Sequence, residues 1–484
     1  MGIVLKQSIR NTALTYVGFA IGAINILFLY TKILPDAYYG LVGVILATAA
    51  ILMPLMAFGI HNTMVKYYSS QEEEKKNAFL TLMLLCPLIA MVPLAAVTWY
   101  FHDAIASFLS KENEIVSDYV WYIFLVGFAM AYFEVFYAWC KVHLKSVFGN
   151  FLKEVFTRAC VMVLLILYYF EVITLEFFLK ALVVTYLLRT FIIKLYAYSL
   201  RRIKLDFNFP KGTKEILSYS LLIILGGSAA LILYEIDKVM INQFVAIENV
   251  AYYSVAVFIA TVIVVPYRAM HNITYPLTAE YLNLNALTDL GKLYQKTSLT
   301  LFIASGILFL LIILNLEELY KLLPEAYRGG FYIALLIGLA KVSDSILGIN
   351  NAILYNSKYY KTVLLFGVCL AVITILLNLW FIPKYGIEGA ALASFIAVAI
   401  FNLLKLWYVY FKFKLLPFTK ATAKVLMILV VLGVLFSYLN FSFHPIINII
   451  LKSLLMVAMY VGILYRLKIS EDVSGVITKF LKRK

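Results

Sequence analysis

Charge is scarce in this sequence. Only 14% of its 484 residues are Asp, Glu, Lys or Arg, where a soluble domain carries about 25%. That excludes an ordinary water-soluble domain. Cysteine is scarcer: Cys86, Cys140, Cys160 and Cys369 are scattered through apolar segments, with no CxxC pair and no metal-ligand spacing. Disulfide frameworks and zinc chemistry are not indicated. Catalytic motifs are missing as well. Gly291-Lys292 lacks the preceding glycine and following hydroxyl residue of a Walker A loop, and no Gly-x-Ser-x-Gly or paired metal histidines occur. The loops expected outside the membrane are short, which speaks against a membrane glycosyltransferase or polymerase. The chain is expected to be no enzyme and to need neither cofactor nor metal.

Apolar residues make up 64% and mean hydropathy is +0.92. A membrane-spanning helix needs about 20 mostly apolar residues. Such stretches are expected at 9–33, 38–60, 78–101, 117–140, 154–171 and 175–199, then at 216–244, 248–270, 294–315, 331–354, 362–382 and 388–411, with a last pair at 422–440 and 446–465. The fold class is therefore an all-α integral membrane protein of fourteen spans. The first stretch, Ala13 to Leu34, contains Lys32 and no small-residue cleavage site, so it reads as a span and not a cleavable signal.

The net charge of +15 reads as cationic cytoplasmic loops and not as a nucleic-acid surface. With the N-terminus inside, alternate loops hold Lys66, Lys75 and Lys76, then Lys141, Lys145 and Lys153, then Arg201, Arg202, Lys204, Lys211 and Lys214. The opposite loops carry little beyond Lys32, Lys111, Lys321, Arg328 and Lys384. Both termini are placed in the cytoplasm. Two amphipathic stretches are expected to lie along that surface, one at 271–293 and one after Arg466 built on Val473, Val476, Ile477, Phe480 and Leu481.

One run of words occurs twice. Ala37-Tyr38-Tyr39, Ala47-Thr48, Pro54 and His61-Asn62 are answered by Ala251-Tyr252-Tyr253, Ala260-Thr261, Pro266 and His271-Asn272. The offset falls only from 214 residues at the first word to 210 at the last. This marks two fused copies: a six-helix lobe over 1–200, a basic linker over 201–213, a second six-helix lobe over 214–412, and a terminal helix pair with its basic tail over 413–484. An even number of spans per copy relates the lobes by an axis along the membrane normal, with a transport path expected at their interface.

An ionisable side chain at the bilayer centre costs about 2.5–3.5 kcal/mol even on a lenient insertion scale. The spans nevertheless hold Glu134, Lys180, Arg189, Lys194, Glu235, Asp237, Lys238, Arg268, Lys341, Asp344 and Lys405. Lys194 and Lys405 lie near cytoplasmic helix ends and read as snorkelling side chains. Arg268 is open to that reading and to a cavity role. Glu235/Lys238 and Lys341/Asp344 are spaced i,i+3, so each is either an internal ion pair or part of a site. Glu134 is either a structural hydrogen-bonded acid or a titrating one. Cations outnumber anions, which suits an anionic headgroup, because a guanidinium can grip a phosphate bidentately. The candidate headgroup contacts are Arg189, Lys238, Arg268 and Lys341, and the candidate coupling acids are Glu134, Asp237 and Asp344.

The half-chain repeat, the helix count, Tyr234-Glu235-Ile236-Asp237-Lys238 followed by Ala251-Tyr252-Tyr253, and the run from Ile382 to Ala393 (Ile-Pro-Lys-Tyr-Gly-Ile-Glu-Gly-Ala-Ala-Leu-Ala) resemble the oligosaccharide-lipid flippases of bacterial surface polysaccharide synthesis. These belong to the multidrug/oligosaccharidyl-lipid/polysaccharide exporter superfamily. The resemblance implies a two-lobed bundle in the bacterial cytoplasmic membrane. It implies a sugar repeat unit on undecaprenyl diphosphate, as for O-antigen or other lipopolysaccharide chains, moved between leaflets by alternating access. The implied partners are that lipid-linked oligosaccharide, membrane lipid, a polysaccharide polymerase and glycosyltransferases. The related lipid II flippases have an Arg-rich first helix, where this chain offers Arg10 and Asn25. A cation-coupled exporter of the same fold and a non-transporting membrane scaffold are the alternatives.

Overall fold

The computed structural model describes residues 2–439 and 441–469. The tail carrying Val473, Val476, Ile477, Phe480 and Leu481 lies outside them. Among the described residues the regular structure is helical throughout, with no strand. Hydrocarbon offers backbone amides no partner, so a spanning segment must satisfy them internally. Nine of the described helices are long and apolar enough to cross a membrane, or ten if Phe331–Ile346 and Asn350–Asn356, bent by 57°, form one span.

The chain divides into two compact units, residues 1–251 and 252–484. In the first, α1 (2–33) is continuous but contains a π turn at Asn25–Leu29. Then come α2 (Asp36–Met56), α3 (Ile60–Tyr67), α4 (Lys76–Tyr100), α5 (His102–Leu109) and α6 (Val120–Val142). Next, α7 (146–169) has a second π turn at Leu152–Phe156, and α8 (Leu175–Leu200) and α9 (Thr213–Phe244) complete the run. The core is aromatic: Phe79, Phe133, Phe136, Tyr137 and Trp139 are buried with Met56, Met64 and Met83 around them.

The expected linker is pinned to this unit. Lys75 Nζ donates to the Asn208 carbonyl at 3.2 Å, the Asp206 amide donates to Thr81 Oγ1 at 3.1 Å, and Arg201 pairs with Glu73 at 2.6 Å. Beyond it α9 lies along α2 and α3. Near its start the Ser220 and Thr63 hydroxyls are 2.7 Å apart, and Lys66 Nζ sits 3.6 Å from the centre of the Tyr219 ring. Just past its end, Asn113 closes a clasp. Its amide nitrogen donates to the Asn242 and Val245 carbonyls at 2.8 and 3.0 Å, and its oxygen accepts from the Ile247 amide at 2.9 Å. These contacts carry α9 into the first unit, so the contact boundary falls well past the basic linker.

The second unit joins α10 (Glu248–Thr261) through a 3-10 turn at Val262–Val264 to α11 (Val265–Asn283). Then come α12 (Leu287–Lys321), α13 (Phe331–Ile346), α14 (Asn350–Asn356), α15 (Tyr360–Phe413), α16 (Lys420–Ser437) and α17 (Pro445–Arg466). Residues 271–293 form no separate surface helix. Pro266 occupies the first turn of α11, where its missing N–H costs nothing, so the helix runs on through Asn283. Asn285, at φ 51°, then turns the chain into α12. The final pair docks on α12 through polar contacts inside an apolar seam. Asn448 Nδ2 donates to Glu318 at 3.2 Å, Asn315 Nδ2 donates to the Ser453 hydroxyl at 3.2 Å, and Tyr460 donates to the Ile303 carbonyl at 3.1 Å.

The long α15 is broken at Gly386, whose φ of 57° and ψ of −136° are closed to residues with a side chain. Nothing lies within 4 Å of a Cβ placed there. Gly386→Ala should therefore destabilise the protein by backbone strain alone, about 1–3 kcal/mol. Gly462, helical and equally open to a Cβ, should tolerate alanine. Thermal melts of the purified protein compare the two.

Candidate functional site

A group of polar side chains of the first unit collects where α1, α6, α7 and α8 meet. Gly18 and Gly22 are four residues apart on one face of α1, the small-xxx-small spacing that lets membrane helices approach closely. A Cβ at Gly18 would run into the Glu154 carbonyl of α7, and one at Gly22 would come 3.2 Å from Arg158 Nε. Just beyond, the π turn of α1 presents Asn25, buried, whose amide donates to the Arg158 carbonyl at 2.8 Å. At the π turn in α7, Thr157 Oγ1 donates to the Leu152 carbonyl five residues earlier, over 3.2 Å.

The charges converge on this framework. Glu134 of α6 accepts from Lys153 Nζ of α7 at 2.5 Å. Lys141 and His61 are its next electrostatic neighbours. Arg158 pairs with Glu154 one turn earlier, at 3.0 Å. Arg189 of α8 is 6% exposed. Its guanidinium carbon lies 4.1 Å from the centre of the Phe133 ring and 4.9 Å from that of Tyr186. Its one hydrogen bond among the described residues is a long one, 3.5 Å from Nη1 to the Thr157 hydroxyl, and Nε has no partner there. Glu134 and Glu154 act on it electrostatically without forming an ion pair. Aromatic faces offset part of the cost of burying a guanidinium, but four of its five N–H groups lack an acceptor among the described residues. Among the described residues, Glu134 and Glu154 are the carboxylates seen against Lys141, Lys153, Arg158 and Arg189.

The second unit holds a smaller cluster. Asn402 Nδ2 of α15 donates to Asp344 Oδ1 of α13 and to the Ser343 hydroxyl, both at 2.9 Å. Lys405 Nζ donates to Asn351 Oδ1 of α14 at 3.0 Å and lies 4.3 Å from the centre of the Phe401 ring. No group of three or more His, Cys, Asp or Glu capable of holding a metal occurs among the described residues.

The candidates named from sequence separate accordingly. Arg189 and Glu134 are brought together. Lys238 pairs with Glu235 at 2.7 Å on its own helix, the internal ion pair that the i,i+3 spacing allows. Asp237 is buried in α9. Arg268 is exposed on α11, and Lys341 and Asp344 are half-buried on α13. Lys194 is exposed, as snorkelling requires, but Lys405 does not snorkel. It is 2% exposed, because Asn351 and the Phe401 ring hold its ammonium inside the unit.

Sequence reasoning also passed over Arg158, which the glycine spacing on α1 could have flagged. It passed over buried Lys452 on α17 too, whose signal was Asn448 one turn before it.

The Glu134–Lys153 contact predicts its own double-mutant behaviour. Lys153→Met leaves a carboxylate unpaired in the seam and should cost about 1–3 kcal/mol. Adding Glu134→Gln should restore most of that loss in thermal melts, a coupling that independent surface effects would not give.

A family profile described as polysaccharide biosynthesis protein matches residues 4–282. No curated protein matches the sequence. Among solved structures, the lipid II flippase MurJ in an inward closed conformation aligns with a TM-score of 0.70 at 16% identity, over 96% of this chain and 100% of its own. An outward-facing multidrug resistance MATE family transporter of the MOP superfamily aligns with a TM-score of 0.60 at 15% identity, over 87% and 96%. A MOP superfamily transporter from Pyrococcus furiosus, whose structure was described by a binding pocket of reversed polarity, gives 0.60 at 14% identity, over 86% and 97%. At these identities the likeness is one of fold.

Proposed function

The chain belongs to the polysaccharide biosynthesis protein family, and from that membership we propose that it is a flippase for a lipid-linked oligosaccharide. It carries an undecaprenyl-diphosphate-linked repeat unit from the cytoplasmic to the outer leaflet by alternating access, for surface polysaccharide synthesis. The polar headgroup passes through the protein while the prenyl tail stays in lipid. The chain sits in the bacterial cytoplasmic membrane with both termini inside, working beside a polymerase and glycosyltransferases.

On this reading the spans number fourteen, as two six-helix lobes and a terminal pair. The three helical runs 146–169, 175–200 and 213–244 join those already counted, and the halves of α15 on either side of Gly386 count separately. Charge interrupts α8 at Glu176, Lys180, Arg189 and Lys194, whereas the charges of α9, Lys214, Glu215, Glu235, Asp237 and Lys238, flank an uncharged stretch over 216–234.

The observation that carries the reading is Arg189. A buried guanidinium with no ion pair among the described residues carries an uncompensated charge, a costly arrangement that an anionic ligand relieves. A diphosphate supplies the planar acceptor pairs that a guanidinium engages. Lys238, Arg268 and Lys341 are secondary headgroup contacts, Lys238 the weakest because Glu235 already answers it. Glu134, Asp237 and Asp344 are the acids available for coupling.

Deleting the gene should trap lipid-linked repeat units on the cytoplasmic side and abolish surface polysaccharide. A strain that changes only in drug sensitivity would instead mark a cation-coupled exporter. Arg189→Met should lower export at least about tenfold, the loss of one charge-assisted hydrogen bond at about 1.5 kcal/mol or more. It should leave the protein no less stable, because it removes a buried charge. Full export by that variant would sink the headgroup role.

A further inference from the structure

The basic linker carries an apolar face that the described residues leave uncovered. Leu205, Phe207 and Phe209 stand at alternate positions of a strap over 201–210, and all three are exposed, Leu205 by 69% and Phe207 by 65%. The Phe207 and Phe209 rings meet edge to face, with 6.3 Å between centroids. Between α8 and α9 the chain could have used polar residues. Instead it keeps large apolar side chains open at an unfavourable cost in water.

The strap is fixed at a definite depth. The helix α4 is one of those long and apolar enough to cross a membrane, and no Asp, Glu, Lys or Arg follows Lys76 until Asp103. Lys76 therefore marks the headgroup level. Thr81, five residues on, lies about 7–8 Å deeper along the helix. The Asp206 amide donates to the Thr81 hydroxyl at 3.1 Å. Lys75 Nζ holds the Asn208 carbonyl at 3.2 Å, and Arg201 pairs with Glu73 at 2.6 Å. The middle of the strap is thus tied at the boundary of headgroups and acyl chains, where peripheral segments bury apolar side chains about 5–10 Å.

The charge around that face is mostly positive. Arg202, Lys204, Lys211 and Lys214 are exposed. Asp206 is half-buried, and its Oδ1 accepts from the Asn208 amide at 2.9 Å. Glu215 is the exposed acid of the segment. The turn before α4 adds Glu72, Glu73 and Glu74, of which Glu73 is taken up by Lys76 and Arg201. Basic side chains flanking an apolar core suit an anionic lipid surface. A soluble partner would have to reach this depth through the headgroups, whereas lipid is already there.

We propose that the strap is a binding site for anionic lipid. Leu205, Phe207 and Phe209 enter the acyl boundary, and Arg202, Lys204, Lys211 and Lys214 engage lipid phosphates, on the cytoplasmic side in the topology proposed above. The inference shares with the flippase reading only the placement of the chain in a membrane. Its test uses no oligosaccharide, so either can fail while the other stands.

The test places an indole on the strap of the full chain, as Phe207→Trp, and reads its emission as the difference from wild type, which has five tryptophans of its own. The protein is reconstituted in vesicles of phosphatidylcholine alone, or of phosphatidylcholine with phosphatidylglycerol, each with and without bromine on the acyl chains. The added emission should lie at short wavelength and be quenched by the brominated lipid, more strongly with phosphatidylglycerol. Adding Arg202→Gln, Lys204→Gln, Lys211→Gln and Lys214→Gln should abolish the difference between the two compositions, and high salt should reduce it. Leu205→Trp, on the same exposed face, should report the same. Emission typical of a water-exposed indole, unquenched in both compositions, would overturn the proposal and leave the face to a protein partner. Quenching equal in the two compositions and indifferent to the four substitutions would overturn it too, because the anionic headgroup would then play no part.

Discussion

The hydrocarbon around this protein dictates its construction. Hydrocarbon accepts no hydrogen bonds, so backbone amides are satisfied inside helices, and each polar side chain needs either a partner or a function. The Glu134–Lys153 and Glu235–Lys238 contacts meet the first requirement. Arg189 has no such ion pair among the described residues, which is why it dominates the functional reading. The same pressure explains the many Thr and Ser hydroxyls that donate to carbonyls one turn earlier, at Thr31, Thr81, Thr185 and Thr278 among others.

The π turns show how local irregularity becomes a site. A π turn inserts one residue into a helix and rotates the residues after it. In α1 it comes at Asn25 and in α7 at Leu152, and the two helices touch there through Gly18, Gly22 and the Asn25–Arg158 hydrogen bond. Between them the irregular turns place Thr157 under the Arg189 guanidinium. The widened turn brings the Thr157 hydroxyl within 3.2 Å of the Leu152 carbonyl five residues earlier.

The two units handle buried cations differently. In the first, Lys141, Lys153, Arg158 and Arg189 lie near two carboxylates, Glu134 and Glu154, among the described residues. In the second, Lys405 is held by the amide oxygen of Asn351 and the Phe401 ring.

The sequence by itself determined the class of the protein. A hydropathy of +0.92 leaves helices as the available structure, because strands would need a closed barrel and the apolar runs are too long for one. It also singled out Arg189 and Glu134 as anomalous, because a charge in the middle of an apolar run is costly whatever surrounds it. What it could not supply was distance across helices. Lys405 reads as an interfacial lysine from its place near a helix end, and only the packing of α14 against α15 shows that its ammonium is enclosed. Arg158 stands out only once α1 approaches closely enough for two glycines to meet it. Whether a buried charge is answered by its own helix, by a neighbour or by nothing in the protein depends on a few ångströms between segments far apart in the chain. Only the tertiary structure decides that, since hydropathy is a property of each segment alone and pairing is a property of two.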